Sequence, residues 1–462
     1  MRRRGLCFLL LFVSALRCFC QNTPDLTAKF DSLFSSALSI GVFNGVVLVA
    51  SGDHIVYQKA FGRADADAHQ QLSPEIRFQI GSISKEFNAS GIALLQQQGK
   101  LRFDDPVGRY LTWLPAWSQK IKVRNLLQYT AGLPSMPEMT ESEYRKQLLA
   151  VQQLAAEPGT VYSYDNVCIY LQKQLIEQVS GMSYSRFVRT ELLDRAGMSS
   201  STIDDVPVSL LAKPFDNDFK AMTPATTSSG WTLTTAGDLY RWSNLLNSGA
   251  FLNATALEPL AQGFPGGEAS LGHTILQQGK LVEHQHDGSG NGYEALLYSD
   301  TRQNVTVVLL SNNQNFKQYN LKDAAVAILH GESFQVPKKS LYLDLRTKAL
   351  ANLDAGIAFY QDVKQHHADH YDLSDESGDL NSTAKYLMRR SRYDEALSVL
   401  QLAATLHVPE TRLSYIRQLI AECYAKKDDR NLAIAYYKLS LENDPKNQQA
   451  QGELETIEKV KP

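Results

Sequence analysis

The chain has 462 residues, of which 44% are hydrophobic, and it carries a formal net charge of −3 at pH 7. This length is enough for two or three domains with packed cores, and the charge excludes the basic surface that nucleic-acid binding requires. Three of the five cysteines lie in the first 20 residues. The other two, Cys168 and Cys423, are too few for a disulfide framework or a paired-cysteine metal site.

The N-terminal residues predict export. MRRR precedes the apolar run LCFLLLFVSAL, which is too short to span a bilayer, and this order is typical of a secretory signal. We expect a signal peptide over residues 1–20 and a periplasmic or secreted mature protein. A lipid anchor on Cys18 or Cys20 is disfavoured, because Arg17 and Phe19 are bulky where a lipoprotein site has a small neighbour.

The part of the chain that follows predicts strands at both ends and helices between them. NGVVLVASGDHIVYQKAFG predicts a hairpin around SGDH, and EALLYS and VTVVLLS predict another around DTRQN. IGSISKEFNASGIALLQQQGKL has apolar residues at helical spacing and stops at Gly99. Strands from both ends would pair in one antiparallel sheet, so we expect an α+β domain over residues 24–335.

Residues 350–462 predict helices with a faint repeat. LIAECYAKKDDRNLAIAYYKLSLENDP places Ala421, Ala433 and Tyr437 where tetratricopeptide-type helix pairs have small and aromatic residues. AKYLMRRSRYDEALSVLQ is a looser copy of that pattern. We expect tetratricopeptide-like repeats, which would offer a surface to a protein partner. An ordinary helical cap on the first domain is the alternative.

Two serines precede a lysine by three residues, Ser82/Lys85 and Ser382/Lys385, which is about what chance gives in a chain of this length. Residues three apart share a helix face, so Lys85 can contact Ser82. A serine hydroxyl needs a base before it becomes a nucleophile, and burial can lower the pKa of a lysine enough for that role. The second pair falls among packing residues of the repeat.

Two further segments hold polar residues that could complete a site. Tyr164 and Asn166 lie in YSYDNVCIY, just before a predicted helix. QHDGSGNGY lies just before a predicted strand and contains His286, Asp287, Gly288 and Ser289.

Together these segments resemble the serine β-lactamase and penicillin-binding superfamily. The branch they resemble includes class C β-lactamases, D-alanyl-D-alanine carboxypeptidases, D-aminopeptidases and esterases. The family's Ser-x-x-Lys motif matches GSISK, Tyr-x-Asn matches YDN, and (Lys/His)-x-Gly matches HDG, in the family's order. The resemblance implies a β-lactamase/transpeptidase-like fold and an acyl-enzyme reaction at an amide or ester carbonyl. No metal or organic cofactor is implied.

The resemblance also implies a role for each matched residue. Ser82 would be the acylated nucleophile, Lys85 its base or proton partner, and Tyr164 the proton shuttle to the leaving group. Asn166 would hold the substrate amide, and His286 would shape the field around the substrate.

Backbone N–H groups of Ser82 and Ser289 would form the oxyanion hole. Gly288 and its neighbouring glycines leave room for a substrate beside the strand edge.

Four positions depart from the family pattern. His286 replaces the lysine of class C β-lactamases, which favours a peptidase or esterase over an efficient β-lactamase. Asp287 stands where threonine or serine often helps to hold a substrate carboxylate, so its charge should repel carboxylates. Asp165 adds a negative charge to the second motif, and Tyr129 replaces a common histidine.

The leading interpretation is an exported serine hydrolase that acts on a small molecule or a peptide. Two others stay open. In one, a penicillin-binding-like sensor uses the acylation pocket without turnover. In the other, the repeats are a scaffold, and Ser82→Ala should leave the biological role unchanged.

Overall fold

The computed structural model describes residues 23–203, 210–224 and 231–459. The predicted signal peptide lies outside these ranges, so export stays a prediction. Within them, no helix is long and apolar enough to cross a membrane.

The strands, in chain order, are β1 (Gly45–Ser51), β2 (His54–Phe61), β3 (Phe78–Gln79), β4 (Leu233–Thr234), β5 (His273–Gln277), β6 (Lys280–Gly290), β7 (Tyr293–Asp300), β8 (Val305–Ser311), β9 (Lys339–Ser340) and β10 (Tyr371–Asp372). Six of them form one antiparallel sheet in the order β2-β1-β8-β7-β6-β5. β3 pairs with β4, and β9 pairs with β10.

The helices around this sheet are α1 (Thr23–Ser39), α2 (Lys85–Gln97), α3 (Val123–Leu127), α4 (Glu141–Ala150), α5 (Asn166–Ser180), α6 (Tyr184–Phe187), α7 (Asp194–Ala196), α8 (Ala236–Asn247), α9 (Ala254–Ala261) and α10 (Gln318–Leu329). A π-helical stretch, Val188–Leu193, joins α6 to α7. Short 3₁₀ turns occur at Gly81–Ser84, Val107–Arg109 and Ala116–Gln119.

β1 and β8 lie side by side inside the sheet and join the two ends of the predicted domain. Both are nearly continuous runs of valine and leucine, as expected of strands that are buried on both faces. Val46 and Leu48 of β1 pack in the core that contains α2, whereas Val47 and Val49 pack in the core of α1 and α10. The predicted α+β arrangement, with strands from both ends in one sheet, is confirmed.

The remaining helices follow the sheet domain. They are α11 (Leu341–Ala351), α12 (Leu353–His366), α13 (Glu376–Met388), α14 (Tyr393–Ala404), α15 (Glu410–Lys426), α16 (Arg430–Asn443) and α17 (Gln448–Lys459). Their apolar residues form cores of their own. Ala421, Ala433 and Tyr437, the predicted packing residues of the repeat, are buried. This helical region is consistent with tetratricopeptide-like repeats, which stay a prediction.

Candidate active site

Ser82 lies in the 3₁₀ turn Gly81–Ser84, which leads directly into α2. Gly81 has a φ of +52°, a region that side chains rarely adopt. A Cβ on Gly81 would also lie 2.5 Å from the backbone nitrogen of Ser289. The glycine before the serine therefore allows the turn to approach the edge of β6.

Two side chains converge on the Ser82 hydroxyl. Lys85 Nζ lies 3.1 Å from Ser82 Oγ, and the Tyr164 hydroxyl lies 2.8 Å from the same oxygen. Lys85 Nζ also lies 4.7 Å from the centre of the Tyr164 ring. Lys85 is buried, whereas 40% of the Tyr164 surface is exposed. The structure thus brings together the three residues predicted to carry the chemistry.

Desolvation acts in opposite directions on the two partners of Ser82. Desolvation lowers the pKa of Lys85 to about 8. Nearby carboxylates act in the opposite direction and raise this pKa, and Glu268 has the largest effect among them. Desolvation also raises the pKa of Tyr164 above its ordinary value, and the hydrogen bond with Ser82 only partly offsets this. Near neutral pH, Tyr164 is a protonated phenol, whereas a fraction of Lys85 is neutral and can accept a proton.

Tyr164 lies two residues before α5 and packs against another aromatic ring. Its ring centre lies 4.8 Å from that of buried Tyr129, which adopts a φ of +53°. The tyrosine that replaces a common histidine thus supports Tyr164. Asp165 caps α5, because its carboxylate accepts a 2.8 Å hydrogen bond from the backbone N–H of Cys168. Asn166 is the first residue of this helix.

The third motif lies within β6, although the sequence predicted it just before a strand. Its polar residues and glycines lack the apolar alternation by which strands are recognised. It is nevertheless paired throughout with β7, with His286 opposite Leu297 and Ser289 opposite Glu294. Alternation is visible in burial instead, because His286 and Gly288 are buried while Asp287 and Ser289 are exposed.

β6 packs directly against the turn that carries Ser82. A Cβ on Gly288 would overlap the carbonyl oxygen of Ile80 and would lie 2.7 Å from the backbone nitrogen of Ser82. This close approach places the predicted oxyanion donors, the backbone N–H groups of Ser82 and Ser289, on neighbouring segments.

Asp287 lies at the rim of the site. Its carboxylate accepts a hydrogen bond from the hydroxyl of Tyr319, near the start of α10. The Asp287 charge is close enough to contribute to the raised pKa of Tyr164, although burial is the larger cause. A negative charge therefore lies within electrostatic range of the Ser82 hydroxyl.

His286 belongs to a buried network that the sequence did not predict. Glu86 Oε1 lies 2.7 Å from His286 Nδ1 and 2.8 Å from His284 Nε2. Glu86 Oε2 accepts a 2.7 Å hydrogen bond from the indole N–H of Trp242. At the other end of its ring, His286 Nε2 lies 3.4 Å from Glu268 Oε1.

Among the residues that the structure describes, one set of histidine, cysteine or carboxylate side chains is grouped closely enough to share a metal ion. This set consists of Glu86, His284 and His286. Ligands about 2.0–2.1 Å from a tetrahedral zinc ion lie about 3.3 Å apart. Here Glu86 Oε1 lies only 2.7 Å and 2.8 Å from the two imidazole nitrogens, which are hydrogen-bond lengths. The geometry fits one carboxylate shared by two N–H donors, and it does not fit a metal centre.

The sequence analysis missed Glu86, His284, Trp242 and Glu268. His284 and His286 are two residues apart and therefore share a strand face, which is the signal that could have paired them. Glu86 lies 198 and 200 residues before the two histidines, so their contact depends on the packing of α2 on β6. No local pattern singles out Glu268.

Sequence comparisons find relatives of this chain. The beta-lactamase family model matches residues 30–332, about two thirds of the chain. Penicillin-binding protein 4* of Bacillus subtilis is 27% identical over 355 residues, which cover 67% of this chain and 76% of that protein.

Solved structures share the fold. The octameric penicillin-binding protein homologue from Pyrococcus abyssi aligns with a TM-score of 0.56 and 22% identity, over 66% of this chain and 78% of that one. A class C β-lactamase aligns with a TM-score of 0.56 and 21% identity, over 67% of this chain and 98% of that one. The predicted β-lactamase/transpeptidase-like fold is confirmed.

Proposed function

The chain belongs to the beta-lactamase family, and from this premise we propose that it is a serine hydrolase that cleaves an amide or ester carbonyl through an acyl-enzyme. The main support is that Lys85 Nζ and the Tyr164 hydroxyl both contact Ser82 Oγ, at 3.1 Å and 2.8 Å. A serine beside a base and a second proton donor has the parts that nucleophilic catalysis requires.

In the proposed reaction, neutral Lys85 takes the proton from Ser82 as Oγ attacks the carbonyl carbon. The backbone N–H groups of Ser82 and Ser289 stabilise the oxyanion. Tyr164 donates its proton to the departing amine or alcohol and recovers one from Lys85. A water molecule then attacks the acyl carbon, its proton passes to Lys85, and Ser82 Oγ leaves and takes that proton back.

Two further residues are proposed to act on the bound substrate. Asn166 would donate a hydrogen bond to the substrate amide or ester from the first turn of α5. His286 would shape the electrostatic field from β6, where its side chain is buried.

The carboxylates near Ser82 favour a neutral or cationic acyl group. Glu268 is 39% exposed and opposes the lowered pKa of Lys85, and exposed Asp287 contributes to the raised pKa of Tyr164. Negative charges at these positions repel a substrate carboxylate and attract an ammonium group. We therefore propose peptidase or esterase activity in preference to efficient β-lactam hydrolysis.

A matched set of p-nitroanilides tests this substrate class. D-alanine, N-acetyl-D-alanine and N-succinyl-D-alanine p-nitroanilides share a scissile bond but carry a positive, a neutral and a negative acyl group at neutral pH. We expect kcat/KM to be lowest for the succinyl compound, and Asp287→Thr to raise that value specifically. The Ser82→Ala variant supplies the background rate.

Two results would contradict the proposed substrate class. One is a preference of the wild-type chain for the succinyl compound. The other is an Asp287→Thr variant with the wild-type ratio of rates, which would mean that this carboxylate does not act on the acyl group.

Export and repeat-mediated binding are also proposals. The basic and apolar N-terminal residues support a periplasmic or secreted location. The buried alanines and tyrosine of α15 and α16 support tetratricopeptide-like repeats over residues 350–462, with a protein partner as their ligand.

A further inference from the structure

We propose that Glu86 is a positioning residue that acts on the reaction through His286. The proposal deepens the function proposed above and rests on it. Glu86 directly follows Lys85 in the first turn of α2, is fully buried, and joins this helix to β6 through its bonds with His284 and His286. The same helical turn therefore holds the base for Ser82 and the carboxylate that fixes the third motif.

The hydrogen bonds determine where the imidazole protons lie. Burial would raise the pKa of Glu86, but the two histidines outweigh it and hold that pKa well below its ordinary value. An ionised carboxylate can only accept hydrogen bonds. His286 must therefore carry a proton on Nδ1, and His284 must carry one on Nε2. With Nδ1 committed to Glu86, Nε2 is the His286 atom that faces Glu268.

A second segment packs close to the His286 side chain. Gly272 has a φ of +70°, and a Cβ there would lie 2.8 Å from His286 Cγ. The backbone that follows Glu268 thus packs against the imidazole, while Glu86 holds Nδ1 from α2. In the observed orientation of the ring, Nε2 lies 3.4 Å from partly exposed Glu268.

In this arrangement, Glu86 sets the orientation and the tautomer of the histidine in the HDG motif. An imidazole has two different nitrogen atoms, and the partner of one sets the role of the other. Without Glu86, His286 could exchange tautomers or rotate, and the field that it presents to the substrate would change. Trp242 supports the carboxylate by donating to the oxygen that the histidines leave free.

A double-mutant cycle tests whether Glu86 acts through His286. The variants are Glu86→Gln, His286→Asn and the pair of them, assayed with p-nitrophenyl butyrate and corrected for the burst that measures competent sites. We expect Glu86→Gln to lower kcat/KM about 100-fold in the wild-type background. In the His286→Asn background, the same change should alter kcat/KM by less than about 3-fold.

Asp344→Asn is the matched control. Asp344 is another buried carboxylate with two partners, Tyr371 and Lys339, but it lies in the helical region beyond the sheet domain. The Asp344→Asn variant should keep the wild-type kcat/KM per competent site. Thermal unfolding shows whether the loss of a buried carboxylate alone destabilises the chain.

The outcomes separate this inference from the proposed function. Equal losses from Glu86→Gln in both backgrounds, or wild-type kinetics in Glu86→Gln, would overturn the inference and leave the serine mechanism intact. Loss of activity with a chelator and recovery with zinc would also overturn it, because the three residues would then be metal ligands. Ester turnover by the wild-type chain that is no faster than that of Ser82→Ala would refute the proposed function, and the inference would fall with it.

Discussion

At the scale of single residues, the site depends on how burial shifts the pKa values of the two side chains that contact Ser82 Oγ. Lys85 and Tyr164 both lie within hydrogen-bond distance of Ser82 Oγ. Desolvation lowers the pKa of Lys85 to about 8 and raises that of Tyr164. Only the lysine is therefore able to lose and regain a proton near neutral pH, which divides the roles of base and donor between them.

This division predicts the pH dependence of acylation. Neutral Lys85 is the active form, and its pKa is about 8, so kcat/KM should rise with pH through about 8 and then level off. A rate that falls across the same range would show that a protonated Lys85 is required. Lys85→Ala should lower kcat/KM by about 1,000-fold or more and remove this rise.

Lys385→Ala is the internal control for that prediction. Lys385 has the same spacing from a serine, but its Nζ contacts the Tyr415 hydroxyl in the helical region. The Lys385→Ala variant should keep the wild-type kcat/KM. An equal loss of kcat/KM in Lys85→Ala and Lys385→Ala would point to a general effect of removing a lysine.

At the scale of elements, the sequence predicted the parts of the site that local patterns encode. Each of these patterns spans only a few residues. They are the Ser82/Lys85 spacing, the strands EALLYS and VTVVLLS, and the helix that ends shortly before Gly99. The strand character of HDG was missed, since polar residues and glycines give no apolar alternation. The Glu86–His286 contact was missed because it depends on how α2 packs on β6.

The close approach of β6 to the Ser82 turn makes Gly288 sensitive to substitution. A Cβ there would overlap the Ile80 carbonyl oxygen and crowd the backbone nitrogen of Ser82. We expect Gly288→Ala to lower kcat/KM about 100-fold, because the two oxyanion donors would be pushed apart. Steady-state kinetics measures this loss, and thermal unfolding shows that the variant is folded.

Gly237→Ala is the matched control for Gly288→Ala. A Cβ on Gly237, in α8, would make only ordinary contacts at 3.8 Å and 3.9 Å. It should keep the wild-type rate. Full activity in Gly288→Ala would contradict the proposed contact between β6 and the turn.

At the scale of the whole molecule, the described residues form separate cores on the two faces of the sheet and in the helical region. Lys317, just before α10, forms a 2.7 Å ion pair with Asp372 of β10.

The division into a hydrolase domain over 24–335 and a repeat domain over 350–462 is our proposal for this organisation. Both cysteines of the described ranges, Cys168 and Cys423, are free and buried, so packing stabilises these cores without a disulfide between them.

Intact-protein mass spectrometry tests the central claim, covalent catalysis by Ser82, most directly. The wild-type chain and Ser82→Ala are each mixed with p-nitrophenyl butyrate and, separately, with a penicillin. We predict a transient butyryl adduct on the wild-type chain, with continuing release of p-nitrophenol, and no adduct on Ser82→Ala. A stable penicillin adduct without ester turnover would support the sensor interpretation. No adduct with either compound, or equal adducts on both chains, would contradict the acyl-enzyme mechanism.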